Sequence, residues 1–299
     1  MQKVLVTGAT GMLGSKVANY IFNDPNFKAF GTGRSDVQSL FTYIKADLLN
    51  KSELNNLLTS VYPDIIVHCA ANVNLTDCET NKTEAYKINV EVSKQLASFN
   101  PGVCKIVYIS TDSVFDGWRE SFSETDTPAP LNYYAQSKLE GENAVIKANK
   151  NSLVLRTNMY GFNSSKEGNS IFEWLYKNLS ADNNVSGFTD IHFNPLYTLQ
   201  LAEIIIRLIN KNAKGILHLG CIEKISKYQF ALLIAEAFGF DKSLIKADVS
   251  NVMPSTLKRP KNTTLNTTEL YKLTEKKYSI ADGIDQLKSD FIQQKKLHE

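Results

Sequence analysis

Tyr134 and Lys138, in the run Asn132-Tyr133-Tyr134-Ala135-Gln136-Ser137-Lys138, stand four residues apart, the spacing that places two side chains on one face of a helix. A phenol beside an ammonium is suited to protonating a carbonyl oxygen, because nearby positive charge lowers the tyrosine pKa from about 10 toward the working range. Taken alone, the pair is equally an ordinary amphipathic helix. A second run, Val107-Tyr108-Ile109-Ser110-Thr111-Asp112, leaves the end of an apolar stretch, where open α/β sheets place their ligands. Thr111 can there hydrogen-bond the same oxygen. Asn89, on the helical stretch before that run, can bring an amide to the site, with a solvated helix face as its alternative.

A third run, Gly8-Ala9-Thr10-Gly11-Met12-Leu13-Gly14, follows the first apolar stretch and opens a helix. In GxxGxxG spacing Gly8 allows the tight turn, Gly11 leaves room for a pyrophosphate, and Gly14 permits close helix-strand packing. Helix N-terminal amides then face the phosphate charge, so a dinucleotide is expected here, with Thr10, Met12 and Leu13 on the same turn counted as contacts. About 20 positions on, where an acidic residue would hold a ribose 2′-hydroxyl, the chain has Arg34-Ser35. Those residues suit a 2′-phosphate, which favours NADPH. Asp36 keeps NADH open, and a solvated surface charge is the alternative for Arg34.

These groups need a scaffold, and the chain alternates short β-branched runs with helical stretches, the pattern of a parallel sheet. Strands are expected at 4–7, 29–33, 65–69, 106–110 and 153–156, with a weaker one near 43–45, and helices at 12–22, 51–59, 83–99 and 133–148. The strands are nearly continuous in apolar residues, as when helices cover both faces. The expected fold is a Rossmann-type doubly wound α/β sheet. After about residue 160 the order loosens, with polar loops at 163–169 and 182–187, then a helix at 198–210 and a strand at 215–219 that returns to the sheet. This divides the chain into a nucleotide-binding domain, 1–160 plus about 188–220, and a smaller discontinuous substrate-binding domain, about 161–187 plus 221–299. A last helix is expected from 282.

Composition narrows the function classes. With 299 residues, 43% hydrophobic and 21% charged, the chain can bury a core without disulfides or metals. A net charge of +2, from 33 basic and 31 acidic residues, provides no cationic field for a phosphate backbone, which argues against nucleic acid. Cys69, Cys78, Cys104 and Cys221 show no CxxC or histidine spacing, so no metal is expected and the thiols read as reduced in a cytoplasmic protein. The N-terminus lacks signal-peptide features, and no window approaches the ~18 apolar residues that span a bilayer, so no membrane is expected.

Together these motifs resemble the extended short-chain dehydrogenase/reductases, which combine TGxxGxxG, a Ser/Thr, YxxxK and a helix asparagine. The likeness is greatest to the dTDP-4-dehydrorhamnose reductase branch. It rests on Ile109-Ser110-Thr111-Asp112-Ser113-Val114-Phe115-Asp116-Gly117, Tyr134 through Ser137-Lys138-Leu139-Glu140-Gly141-Glu142, Arg156-Thr157, and Arg259-Pro260 followed by Leu265. The resemblance implies reduction of a 4-keto-6-deoxy sugar nucleotide by a nicotinamide cofactor. It implies Thr111, Tyr134 and Lys138 as catalytic residues, with Asn89, and Asp47, Leu48, Ala70 and Ala71 as cofactor contacts. It further implies Asp112, Asn158, Met159 and Arg259 on the substrate, Arg259 at the diphosphate, and, by family analogy, a homodimer. Family dehydratases carry an Asp-Glu pair after the threonine, whereas Asp112 is followed by Ser113, and no cysteine of the epimerising kind lies near Thr111. Asn158-Met159 replaces the branch's substrate-stacking tryptophan, and the loop around Pro195 lacks its usual glycine and threonine, so a different 4-keto sugar is a candidate. The family's alternatives are the regulatory partner of a methionine adenosyltransferase and a sugar-nucleotide epimerase. Outside these motifs, His68 and His218 are expected to be packed, His192 structural or solvent-facing, Trp174 part of the second domain's core, and Arg156 either an anion contact or an ion-pair partner. A turn is expected at Met253–Pro254.

Overall fold

A computed structural model of the chain describes residues 1–163, 168–250 and 257–298. The expected Met253–Pro254 turn and part of the 163–169 loop lie outside the described residues. In chain order the first elements are β1 (Gln2–Thr7), α1 (Met12–Phe22), β2 (Phe27–Gly33), β3 (Thr42–Lys45), α2 (Lys51–Val61), β4 (Ile65–His68), α3 (Leu75–Thr80), α4 (Lys82–Tyr86), α5 (Val92–Ala97), β5 (Lys105–Ile109), α6 (Tyr133–Ala148) and β6 (Ser152–Thr157). Then follow β7 (Met159–Tyr160), α7 (Ile171–Leu179), β8 (Val185–Phe188), β9 (His192–Phe193), β10 (Leu196–Tyr197), α8 (Thr198–Asn210), β11 (Gly215–Leu219), β12 (Ile225–Ser226), α9 (Lys227–Phe238), β13 (Ile245–Asp248), α10 (Thr268–Thr274) and α11 (Ile280–His298).

Seven strands pair in the order β11-β6-β5-β4-β1-β2-β3, every neighbour parallel, so the expected doubly wound α/β fold is what the chain adopts. The order reverses at β1, the switch point that opens a crevice beyond the strand ends. The central strands are apolar on both faces because each face meets its own layer. Val4, Val6, Val67, Val107 and Leu155 pack with α1 and α8, while Leu5, Ile66, Ile106 and Val154 pack with Leu54 and Leu58 of α2 and Val92 and Leu96 of α5. Burying each such side chain contributes about 1.5–3 kcal/mol. β11 returns to the sheet beside β6, 58 residues after β6 ends at Thr157 and counting to its own start at Gly215. The segments that follow β6 form three small pairs outside the main sheet, β7 with β10, β8 with β13 and β9 with β12.

The helix expected at 83–99 is not one regular helix. α4 passes into a π turn over Lys87–Glu91 before α5 begins, so Asn89 sits at an interrupted backbone. The carbonyl of Asn89 is thereby available to side chains, accepting from Ser93 Oγ at 2.8 Å and Tyr108 Oη at 3.3 Å. α6 comes up against this turn at Gly141, where a Cβ would lie 2.4 Å from the Asn89 oxygen.

Candidate active site

Two cavities lie along the carboxyl edge of the sheet. The first, about 520 Å³, is lined by Gly8, Thr10, Gly11, Arg34, Asp47 and Leu48 among others, together with Ala70 and Ala71 beyond β4. Its geometry depends on glycine. At Gly14 a Cβ would stand 2.1 Å from the Gly8 oxygen, so α1 can start against the turn only with hydrogen in that place. α1 begins at an N-cap glycine, Gly11, that supplies no side-chain cap, which leaves the first-turn amides of Met12 and Leu13 free for an anion. An uncapped eleven-residue helix and a guanidinium lining one cavity fit the phosphates of a dinucleotide. The Leu13 side chain packs into the core, and Ser35 is exposed outside the lining. Asp36, which kept NADH open, is bound to Lys45 at 2.6 Å.

The second cavity, about 450 Å³, takes Tyr134, Asn158, Ser113, Lys227, Arg259 and Trp174 into its wall. Asn132 builds its edge. The Asn132 side chain caps α6 by accepting from Ala135 N at 3.0 Å and donates to Lys258 O at 3.0 Å, which fixes Tyr134 in the first turn and ties it to the loop carrying Arg259. Thr111 is close enough to the Tyr134 phenol to lower its pKa, and its Oγ1 donates to Asp112 Oδ1 at 3.2 Å and accepts from Ser113 N at 3.1 Å. The Asp112 carboxylate is buried, takes the Asn158 amide at 2.8 Å, and has its pKa raised by burial.

Lys138 is fully buried one turn after Tyr134, its Nζ donating to Ile109 O at 2.7 Å and standing 4.1 Å over the Tyr108 ring. Burial pulls its pKa down to about 7, with Glu142 opposing that shift. The expectation that Lys138 lowers the Tyr134 pKa is corrected here. Burial dominates the phenol and pushes it up to about 12, the nearby Thr111 hydroxyl being the opposing influence. Tyr134 is therefore protonated at neutral pH, the state of a proton donor.

Asn89 is buried at 1% exposure, which removes its solvated alternative. Its amide donates to Ser137 Oγ at 2.9 Å and Asn72 O at 3.0 Å, and Ser137 Oγ donates to Tyr134 O. It positions the first turn of α6 and does not line either cavity. Met159 belongs to β7, is packed against the core and stands outside both linings. Arg156 resolves as an ion-pair partner, held by the buried Glu142 at 2.7 Å. His68 is buried between Thr7 Oγ1 and Ser93 Oγ, and burial takes its pKa to about 3. His218 is buried too, while half-buried His192 is engaged through its backbone with residues 261 and 263. The Trp174 expectation is corrected. Its ring is 41% exposed in the second cavity because α7 turns Phe172, Leu175 and Leu179 inward instead.

Lys227 escaped the sequence reading. A signal for it exists, since Ser226 and Gln229 form a capping box that makes Lys227 the first residue of α9. Its approach to Asp112, 115 residues earlier, has no local trace. Among the described residues no group of three or more His, Cys, Asp or Glu side chains is placed to hold a metal ion, and no helix is long and apolar enough to cross a membrane.

Fold and site define an extended short-chain dehydrogenase/reductase with separate dinucleotide-type and substrate-side cavities. A family model described as the RmlD substrate-binding domain matches residues 1–287, and the chain belongs to that family, the dTDP-4-dehydrorhamnose reductase-like branch. Methionine adenosyltransferase 2 subunit beta of Pongo abelii is 32% identical over 282 residues, covering 91% of this chain and 82% of the relative. A dTDP-4-dehydrorhamnose reductase from Clostridium acetobutylicum superposes with a TM-score of 0.83 at 28% identity, over 97% of this chain and 99% of that one. The same enzyme type from Bacillus anthracis, solved in complex with NADP, gives a TM-score of 0.83 at 25% identity, over 98% and 99%.

Proposed function

We propose that the protein reduces the 4-keto group of a 6-deoxy sugar nucleotide, using NADPH in preference to NADH. The observation that carries this reading is Tyr134 in the wall of the second cavity on the first turn of α6, beside the end of β5 that leads into Thr111, with Lys138 one helical turn behind it. A bound reduced nicotinamide supplies the hydride equivalent to the carbonyl carbon. Gly8, Gly11 and the first turn of α1 would hold its pyrophosphate, and Arg34 the 2′-phosphate. Thr111 holds the substrate oxygen beside Tyr134, whose hydroxyl gives it the proton. Lys138, one helical turn from Tyr134, would orient the nicotinamide ribose. Asn158, its amide held from behind by the buried Asp112 carboxylate, reads the sugar, and Arg259 in the cavity wall is suited to a diphosphate through its guanidinium.

The test is oxidation of NADPH and NADH, followed by absorbance, with dTDP-4-keto-6-deoxy-L-lyxo-hexulose, dTDP-4-keto-6-deoxyglucose and a GDP-linked 4-keto sugar. Oxidation with one of them is the expected result. Binding of NADPH without turnover on any would overturn the reading. Replacing Arg34 with Ala is expected to weaken NADPH about tenfold, one charge-assisted contact at an exposed side chain, while NADH affinity is unchanged. Equal loss for both coenzymes would remove Arg34 from 2′-phosphate recognition.

A second reading is favoured by one observation, the 32% identity across 91% of the chain to methionine adenosyltransferase 2 subunit beta. On it the protein would serve as a regulatory partner of such a synthetase. Co-elution with a methionine adenosyltransferase catalytic chain, together with silence in the reductase assay, is its expected signature.

A further inference from the structure

Lys227 and Arg259 both stand in the wall of the second cavity, and among the described residues no aspartate or glutamate lines it. Each is placed from the main chain. Ser226 caps α9, and the backbone N–H of Lys227 donates to Ile191 O at 2.9 Å. Opposite it in sequence, Asn132 donates to Lys258 O at 3.0 Å and His192 N donates to Lys261 O at 2.7 Å, so the loop is pinned before and after Arg259. Neighbouring cations are spent within the protein, Lys261 on Asp190 at 2.9 Å and Arg156 on Glu142 at 2.7 Å. These two are not. The Lys227 Nζ lies 3.2 Å from the centre of the Phe193 ring, and among the described residues neither it nor the Arg259 guanidinium has a hydrogen-bond acceptor or a carboxylate at ion-pair distance. The Asp112 carboxylate attracts Lys227 only from a distance, since it is buried outside the lining and already accepts from Asn158 and Thr111.

Two unpartnered positive charges in one cavity of about 450 Å³ repel each other, and loss of solvent adds to that cost. Burial draws the Lys227 pKa down to about 7, the direction that a bound anion reverses. A single carboxylate would be taken up by the guanidinium fork alone. A diphosphate carries charge on each of two linked phosphates, with non-bridging oxygens that can face α9 and the 257–261 loop together. We infer that Lys227 is a second phosphate-binding residue that, with Arg259, holds both phosphates of the sugar nucleotide and so makes the cavity select a nucleoside diphosphate over the corresponding monophosphate. This rests on the proposal above that the cavity takes a sugar nucleotide, and adds to it a residue and a charge requirement.

Calorimetric titration of the NADPH-loaded protein compares dTDP with dTMP and GDP with GMP, and each diphosphate with its sugar conjugate, dTDP-glucose and GDP-mannose. For the preferred base, wild-type protein is expected to bind the diphosphate about tenfold or more tightly than the monophosphate. K227M keeps the stem of the side chain and loses its donors. It is expected to weaken diphosphate and conjugate alike by about ten- to hundredfold, bringing the diphosphate close to the monophosphate, while NADPH affinity is unchanged and K227R restores part of the loss. A loss confined to the conjugate would overturn the inference in favour of a contact to the hexose. An undiminished preference for the diphosphate in K227M would reduce Lys227 to packing over Phe193 and overturn the inference alone, as would wild-type protein that binds a conjugate without that preference. Wild-type protein that binds NADPH and none of the other ligands would overturn the sugar-nucleotide reading and this inference with it. Should K227M lose NADPH binding, K227Q, which keeps a polar end, takes its place with the same outcomes.

Discussion

Tyr134→Phe is expected to lower kcat by about 10²–10⁴ while leaving NADPH affinity unchanged. The substitution removes one oxygen and keeps the ring, so the cavity wall, the Asn132 cap and the buried Lys138 stay in place. What disappears is the proton donor and its interaction with Thr111. The sign of the pH dependence follows from burial. A phenol pushed up to about 12 remains protonated across the neutral range, so this group imposes no loss of kcat near pH 7 and its limb falls only on the alkaline side. Steady-state kinetics with the best keto sugar, alongside a fluorescence titration of NADPH, measures both quantities. An unchanged kcat would remove Tyr134 from the chemistry, and a parallel loss of NADPH binding would show damage to the first cavity.

Arg156→Met is expected to cost about 3–5 kcal/mol of stability, the cost of leaving a buried carboxylate without its cation. Glu142 has only 1% of its side chain exposed and Arg156 3%, and they meet through Nε at 3.0 Å and Nη2 at 2.7 Å. Ser110 Oγ donates to the same carboxylate at 2.5 Å, and Phe115 stacks over the guanidinium. At about 2.1 cal/mol/K of unfolding entropy per residue, that loss lowers the thermal midpoint by roughly 5–8 °C. Because Ser110 precedes Thr111, kcat should fall as well while NADPH binding is retained. Glu142→Leu in the Arg156→Met background should recover most of the midpoint, since the uncompensated charge is then gone. A midpoint within about 1 °C of wild type in the single variant would show the pair to be energetically neutral.

Much of the first cavity was readable because its determinants are local. Gly8, Gly11 and Gly14 occupy one turn, Arg34 directly follows the next strand, and Tyr134 and Lys138 share one helical face, so short-range spacing suffices to place them. The strand runs were readable for a similar reason: helices on both faces of a parallel sheet make each strand continuously apolar. The strand returning at 215–219 could be named from its own composition, although its place beside β6 is a long-range fact.

The substrate side obeys other physics. For Asn89 the sequence left a site role and a solvated helix face both open, and only the π turn and the approach of Gly141, which bury it, decide between them. Trp174 looked like core until α7 was packed, when Phe172, Leu175 and Leu179 took the inward face. The Tyr134 pKa depends on how much solvent the assembled walls exclude, and that exclusion outweighs anything its position in YxxxK can specify. Lys227 comes within electrostatic reach of Asp112, 115 positions earlier, only once the chain between them has folded. The sequence by itself therefore determined the sheet, the glycine turn and the pairing of Tyr134 with Lys138 on one helical face, because propensity, periodicity and one-turn spacing act over a few residues. Tertiary structure alone decided which side chains face the second cavity and which are charged there, because burial and electrostatics are sums over every element packed around a point.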